Sequence, residues 1–361
     1  MKRVMFVIGT LSNGGAERVI SILAEEMQEL GYEVSIVTIF SDKNNYVNSK
    51  KIRLYPIVHK YKNKFLRFLN IVLKTRQLIK SQNPDVVISF DSIINICTIF
   101  SSVFLKNKLI VSERNDPYKY PESKWIRYMR DLLYRFSDGF VFQTADAKKY
   151  FSPIIQERGT IIHNPILSNL PYWNENSTEK TIITACRLVR QKNLPMLIKA
   201  FSSFSKIYPE YKLKIFGVGE LREELLSLVE DLKLNDKVFF PGFSDRIHNE
   251  MANSDLFIIS SDYEGISNSM LEALAIGVPV ISTDSPIGGA RLFINNGENG
   301  LLIEVGDTDG LVNAMIRVIS DKKFAIRLSR EARKIRNELL PRKIAEKWIK
   351  YAERICRGDY V

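Results

Sequence analysis

The chain has 361 residues, 45% hydrophobic and 26% charged, an ordinary globular composition long enough for two domains with a core each. Its formal net charge of +11 is lopsided, with 25 Lys/Arg against 15 Asp/Glu through residue 170 and 27 against 26 beyond it. A charge carried only for solubility would be spread evenly, so the basic half is expected to meet an anionic partner.

Residues 4–9 read as a buried strand behind Lys2 and Arg3; the apolar run is too short for a signal peptide. Asn13-Gly14-Gly15 is a loop. Residues 16–30 then repeat apolar side chains at helical spacing (Val19, Ile20, Leu23, Ala24, Met27). Gly31 ends that helix and 34–40 is a second strand, which completes a βαβ unit. Further strands are predicted at 86–90, 109–112 and 139–143. Pro165, Pro171 and several Asn and Ser mark 166–180 as a linker.

The same grammar restarts beyond it. Strands are predicted at 181–186, 212–216, 237–240, 255–259 and 278–282, with helices at 194–207, 220–232 and 268–276. A last helix over 342–357 carries Ile344, Ala345, Trp348, Ile349, Ala352 and Ile355 on one face. The expected fold is therefore α/β, with two Rossmann-like doubly wound domains facing a cleft. The domains are 1–165 and 181–340, joined by 166–180, and 341–361 forms a helix returning to the first domain. Ligands of such sheets bind at the carboxyl ends of the strands. Cys97, Cys186 and Cys356 form no C-x-x-C pair and no disulfide framework, which favours a reducing compartment. No window is long enough for a membrane span.

The chemistry concentrates after the 255–259 strand, in S-S-D-Y-E-G-I-S-N-S-M-L-E. Glu264 lies in the loop and Glu272 about two turns into the next helix, with Ser267 or Asn268 as N-cap. The free amides of that first turn suit a diphosphate. Glu264 could accept hydrogen bonds from sugar hydroxyls and Glu272 from ribose hydroxyls, although the same spacing also occurs on solvated helices. Arg187 at a strand end and Lys192 before a helix would add two cations for a diphosphate, or else form a solvated basic loop. Gly217 and Gly219 sit in a further strand-end loop, but Arg222 replaces the third glycine of a dinucleotide fingerprint. Pro286-Ile-Gly-Gly-Ala290 is another tight strand-end turn.

These pieces together resemble glycosyltransferase family 4, retaining enzymes of the GT-B fold. The run from Glu264 through Asp284 is similar to the family's E-x7-E motif and the E-A-x-A-x-G-x-P-V-I segment after it. A-C-R-L-V-R-Q-K-N resembles G-R-L-x-x-x-K-N, with Cys186 in place of glycine. L-S-N-G-G-A-E-R-V resembles the N-terminal glycine loop, and N-N-G-E-N-G-L-L-I the D-G-x-N-G-x-L-V stretch. By position, the resemblance implies that Arg187 and Lys192 bind the donor diphosphate, Glu264 the donor sugar and Glu272 the ribose. Ile266, Ser267 and Asn268 would line the donor. Gly14 and Gly15 would let the first-domain loop reach the phosphates or the acceptor. The base would lie near Gly217, Gly219, Gly242 and Phe243. Many relatives carry a His after the strand at 109–112. This chain has Ser112-Glu113-Arg114-Asn115 there, so Glu113 or Arg114 would take sugar or acceptor contacts, or form a structural ion pair.

The resemblance implies transfer of a hexose or N-acetylhexosamine from a nucleotide-diphosphate sugar, expected to be UDP-linked, to a saccharide acceptor in polysaccharide or glycan biosynthesis. No cofactor is expected beyond the donor substrate. No metal is expected either: Asp307-Thr308-Asp309 reads as a helix N-cap, and His59, His163 and His248 form no ligand motif. Residues 43–84 hold eleven Lys/Arg and no Asp or Glu. Within them, 65–80 is both basic and amphipathic. It is expected to touch an anionic membrane surface, as well as packing on the core, and would serve a lipid-linked acceptor. The chain is therefore expected in the cytoplasm, peripheral on the inner face of the cell membrane. A GT-B epimerase or nucleotide-sugar hydrolase is the enzymic alternative. A nucleic-acid-binding protein is the alternative from another class, given a pI of about 9.3. The basic segment lacks base-stacking aromatics in a sheet pattern, so nucleic acid is not an expected partner.

Overall fold

The computed structural model describes residues 1–12, 14–40, 46–47, 49–57, 61–176 and 179–359. The chain divides into two compact units: Met1–Pro165 with Leu339–Val361, and Ile166–Glu338.

Unit 1 is built on β1 (Arg3–Ile8), β2 (Glu33–Thr38), β3 (Arg53–Pro56), β4 (Val86–Phe90), β5 (Lys108–Ser112), β6 (Gly139–Phe142) and β7 (Gly159–Ile161). Every pairing is parallel, in the order β3-β2-β1-β4-β5-β6-β7. The central strands β1 and β4 are buried from Val4 to Ile8 and from Val86 to Phe90 and are apolar there save for Ser89, as expected of a parallel sheet covered on both faces. The chain order reverses between β1 and β4, which is where open α/β sheets bind ligands.

The helices that matter here are α1 (Gly15–Glu29), α2 (Lys64–Gln82), α3 (Ser92–Ser102) and α4 (Lys124–Leu133). Asn63 caps α2 by accepting from the Phe65 and Leu66 amides at 2.9 and 3.2 Å. The C-terminal helix, Pro341–Arg357, packs against α1. It buries Ile344, Ala345, Trp348, Ala352 and Ile355, and Trp348 stacks on Phe90 with ring centroids 5.5 Å apart. Burying a large apolar side chain of this kind contributes about 1.5–3 kcal/mol by removing it from water.

Unit 2 repeats the plan with β8 (Thr181–Ala185), β9 (Lys212–Phe216), β10 (Val238–Gly242), β11 (Leu256–Ile259), β12 (Val280–Thr283) and β13 (Leu301–Ile303). Their order is β10-β9-β8-β11-β12-β13, again all parallel, with the reversal between β8 and β11.

Two sequence expectations need correction. Residues 166–180, read as a linker, belong to unit 2. Ile166 and Leu170 are buried, and Arg336 donates to the Leu170 carbonyl at 3.0 Å. Trp173 and Asn174 donate backbone N–H bonds to the Ile276 and Ala252 carbonyls at 2.9 and 2.8 Å. Pro, Asn and Ser signal irregular backbone, and irregular backbone can still pack when apolar side chains punctuate it. The strands β3, β7 and β13 add to the expected set. They are three or four residues long and lie at sheet edges, so they carry too little apolar pattern to read. No helix among the described residues is long and apolar enough to cross a membrane.

Candidate functional site

In unit 2 the loop after β8 and the loop after β11 meet at the point of strand-order reversal. A short helical turn, Arg190–Lys192, follows β8, and Asn193 then adopts φ +43° to cap the helix Leu194–Ile207. The Asn193 amide group donates to Asp262 Oδ1 at 2.7 Å. Ser260 Oγ donates to the Lys192 carbonyl at 2.8 Å, and the Asp262 amide to the Gln191 carbonyl at 2.9 Å. These bonds lock the two loops together and fix the direction of their side chains.

Lys192 Nζ pairs with Glu264 Oε1. Gln191 Nε2 donates to the other carboxylate oxygen at 3.2 Å, and Ser261 Oγ donates to Oε1 at 3.3 Å. Both charged side chains are about 15% exposed, so the pair is shielded but reachable. Burial pushes the Lys192 ammonium down to about 8; Cys186 offsets this in part, and Arg187 adds to it. A pocket beside the pair is lined by Thr184, Cys186, Lys192, Ser260, Ser261 and Ser267. Arg187 is exposed at the end of β8.

Ser267 caps the helix Asn268–Ile276, accepting from the Met270 amide at 3.4 Å. Asn268 opens that helix, and Ile266 is buried just ahead of it. Glu272 lies further along that helix. It is 4% exposed and its Oε2 lies 3.0 Å from His248 Nε2. The seven-residue spacing therefore does not present two free carboxylates side by side: one pairs with a lysine, the other with a histidine.

Gly217 and Gly219 have a definite structural reason. Gly217 sits at φ +125°, where a Cβ would lie 1.8 Å from the Cys186 carbonyl oxygen, and a Cβ on Gly219 would lie 2.3 Å from that of Leu188. Only glycine lets this loop press its backbone onto the loop after β8. Gly242 ends β10 and Phe243 beside it is half exposed. In unit 1, Gly14 and Gly15 lead into α1, with the Gly14 carbonyl accepting from the Arg18 amide at 3.2 Å. Asn13, before them, lies outside the described residues.

Glu113 and Arg114 are both engaged inside unit 1. Glu113 was expected to reach a sugar or acceptor, or else to form a structural ion pair, and it does the latter. It is 2% exposed. Ser92 Oγ donates to its two oxygens at 2.8 and 3.0 Å, Tyr134 OH donates at 3.0 Å, and Arg130 Nη1 lies 3.6 Å away. Burial raises its carboxyl above the usual range, opposed by Arg130 and Ser92. The Arg114 guanidinium lies 3.8 Å over the Phe90 ring and donates to Asn164 Oδ1 at 2.8 Å. Burial lowers its pKa to about 9, opposed by Glu113. Both side chains thus work within unit 1.

Sequence reasoning missed Gln191, Asn193, Ser260, Ser261, Asp262 and His248. The first five flank residues already singled out, in R-Q-K-N and S-S-D-Y-E, and the need to satisfy a part-buried ion pair was the available signal. His248 offered none, being 24 residues from Glu272. One further feature is Ile287, a β-branched residue held at φ +61° in the Pro286–Gly288 turn. That conformation is costly and concentrates at functional loops. Asp307 caps its helix, accepting from the Gly310 amide at 2.8 Å. No group of three or more His, Cys, Asp or Glu gathers among the described residues. His59 lies outside them, as do 43–45, 48, 58 and 60 of the basic stretch.

Comparison with known proteins agrees with this architecture. The family "Glycosyltransferase Family 4" matches residues 13–167, and "Glycosyl transferases group 1" matches 169–335. A relative from Campylobacter jejuni is 28% identical over 97% of this chain and 98% of its own. It is named GalNAc-alpha-(1->4)-GalNAc-alpha-(1->3)-diNAcBac-PP-undecaprenol alpha-1,4-N-acetyl-D-galactosaminyltransferase. Among solved structures, sucrose-phosphate synthase from Thermosynechococcus elongatus superposes with a TM-score of 0.88 at 16% identity, covering 99% of this chain and all of that one. A point mutant of S. aureus TarM, in complex with Fondaparinux, alpha-GlcNAc-glycerol and UDP, gives 0.82 at 16% identity, covering 98% and 100%. Two consecutive Rossmann-like units, each matched by one half of the same enzyme family, establish that the chain belongs to the family 4, group 1 glycosyltransferases of GT-B fold.

Proposed function

We propose that this glycosyltransferase is a retaining enzyme. It moves a hexose or N-acetylhexosamine from a UDP-linked donor to a lipid-linked saccharide. The observation that carries the reading is the shielded Lys192–Glu264 pair beside a small polar pocket at the carboxyl ends of β8 and β11. In this reading Lys192 and the exposed Arg187 take the donor diphosphate, helped by the first-turn amides behind Ser267 and Asn268. Negative charge builds on the diphosphate as the glycosyl bond breaks. Fixed cations stabilise it without reorganisation. Glu264 exchanges its lysine for sugar hydroxyls, positioning the ring rather than acting as a base. Glu272, oriented by His248, accepts from the ribose. Gly217, Gly219, Gly242, Phe243 and Ile266 border the base and phosphates. A donor phosphate oxygen assists removal of the acceptor proton during attack from the leaving-group face. No enzymic base, metal or further cofactor enters this scheme.

Two likenesses support donor and acceptor. The TarM structure holds UDP, and the Campylobacter relative is named for a GalNAc transfer onto an undecaprenol-linked saccharide. The acceptor reading also draws on the basic stretch 43–84. α2 carries five Lys/Arg and no acid, suited to the anionic cytoplasmic face of a membrane. The test is a panel of nucleotide sugars screened for protection against thermal unfolding, since a ligand selective for the native state raises its stability. The UDP sugars are expected to protect and GDP sugars not to. Equal indifference to every donor would sink the reading.

A further inference from the structure

α4 is inside out. Of its three cations Arg130 is fully buried, while Trp125 is 76% exposed and Tyr128, Met129 and Leu132 also face solvent. The positions 125, 128, 129 and 132 follow helical spacing, so they form one outward stripe. Arg130 points the other way because its guanidinium is held inside. It donates to the Pro117 carbonyl at 3.0 Å, the Tyr120 carbonyl at 2.8 Å and Asp131 Oδ1 at 2.9 Å, next to Glu113. The buried network therefore fixes which face of α4 looks outward. α2 repeats the pattern. It buries Ile71, Thr75 and Ile79 and leaves Phe65, Leu69 and Leu73 largely exposed. Both helices pack against α3. Monomeric soluble proteins rarely leave such a face uncovered.

We infer that the outward stripes of α4 and α2, led by Trp125, Tyr128, Phe65, Leu69 and Leu73, enter the headgroup region of an anionic bilayer. The charges select this occupant. Lys62, Lys64, Lys74, Lys80 and Lys124 are exposed around the stripes. Of the nearby acids, Glu122 is exposed, and Asp131 is tied to Arg130 and to Tyr150 at 2.7 Å. Cations around an apolar centre match acidic headgroups above acyl chains. Trp and Tyr side chains favour that boundary, having an apolar body and a polar edge. A second copy of the chain would bring the same cations face to face. The inference deepens the membrane reading above and rests on it, but adds insertion to what that reading treats as charge attraction.

The test uses the full chain and vesicles of equal parts phosphatidylglycerol and phosphatidylcholine. Trp125 is the reporter, since Trp348 is buried and Trp173 partly so. Vesicles are expected to shift its emission to the blue, with quenching by bromine-labelled acyl chains, and part of the binding is expected to survive high salt. The double substitution Trp125→Gln and Tyr128→Gln is expected to weaken the salt-resistant binding roughly tenfold or more, because exposed apolar area is what drives insertion. Its salt-sensitive binding and unfolding temperature are expected to stay unchanged. Binding wholly released by salt, without an emission shift, overturns insertion but leaves the charge reading standing. No co-sedimentation even at low salt overturns both. A concentration-dependent dimer, abolished by the same substitutions and indifferent to vesicles, overturns insertion and assigns the face to a second copy instead.

Discussion

The two units share a strand order around their reversal point, yet they use charge at the strand ends in opposite ways. After β8 and β11, unit 2 holds Lys192, Glu264 and Arg187 at or near the surface, beside a pocket. After β5, unit 1 turns Glu113 inward and surrounds it with Ser92, Tyr134 and Arg130. In the proposed function the first arrangement exchanges its partners for a ligand's. The second has committed its hydrogen bonds to the fold. An acidic residue at a parallel-sheet strand end is therefore not by itself a site; what matters is whether its partners can be displaced by solute.

That contrast can be broken in four ways. Glu113→Ala is expected to have the largest effect and to act on stability. It takes from the buried Arg130 one of its two carboxylate partners and from Ser92 and Tyr134 their acceptor, a loss of about 3–5 kcal/mol, measurable by urea unfolding. Nucleotide-sugar protection per folded molecule is expected to persist.

Lys192→Ala is expected to do the reverse. Turnover at saturating donor falls by roughly one to two orders of magnitude, in line with the about 1.5–3 kcal/mol of a charge-assisted bond, while the unfolding temperature changes little. Near-normal turnover would remove Lys192 from the mechanism.

Gly217→Ala probes the loop that supports the pair. A methyl there meets the Cys186 carbonyl in a backbone region hostile to side chains. The expected cost is about 1–3 kcal/mol of stability, with weaker donor protection. Unchanged donor protection would show that the 186–188 loop is not held by this contact.

The smallest effect is that of pH. With its ammonium at about 8, Lys192 loses its charge as pH rises through that value, and turnover that depends on the cation falls by up to about tenfold per unit above it. Stability moves the other way. Between about 8 and the usual lysine range the unfolded chain holds this proton more tightly than the folded one, so the contribution of Lys192 rises with pH. In the Lys192→Arg variant the turnover limb is expected to vanish, and a limb that stays in place would assign it to another group.

Much of the fold could be read from residue order. The central strands β1, β4, β8, β11 and β12 are mostly apolar, with a few buried Ser and Thr, and are set between helical periods, as burial on both faces favours. The short edge strands β3, β7 and β13 could not be read, because three or four residues cannot establish a period. The packed stretch 166–176 reads as a linker for a related reason: composition reports backbone regularity and says little of what touches it.

For the site, local sequence determined the residue types and the loops that carry them. Lys192, Glu264 and Ser267 stand at strand-to-helix junctions that capping and turn chemistry mark. Only the tertiary structure decided their partners. The Lys192–Glu264 pair spans 72 residues, Glu272 and His248 meet across 24, and Ser92 reaches Glu113 across 21. Those meetings depend on sheet order, which brings distant strand ends together. Periodicity within one segment carries no information about which of them will be neighbours. The same holds for α4, where packing alone decides which face is turned outward. That was settled by carbonyls at Pro117 and Tyr120, which hold Arg130 inside and leave Trp125 in water.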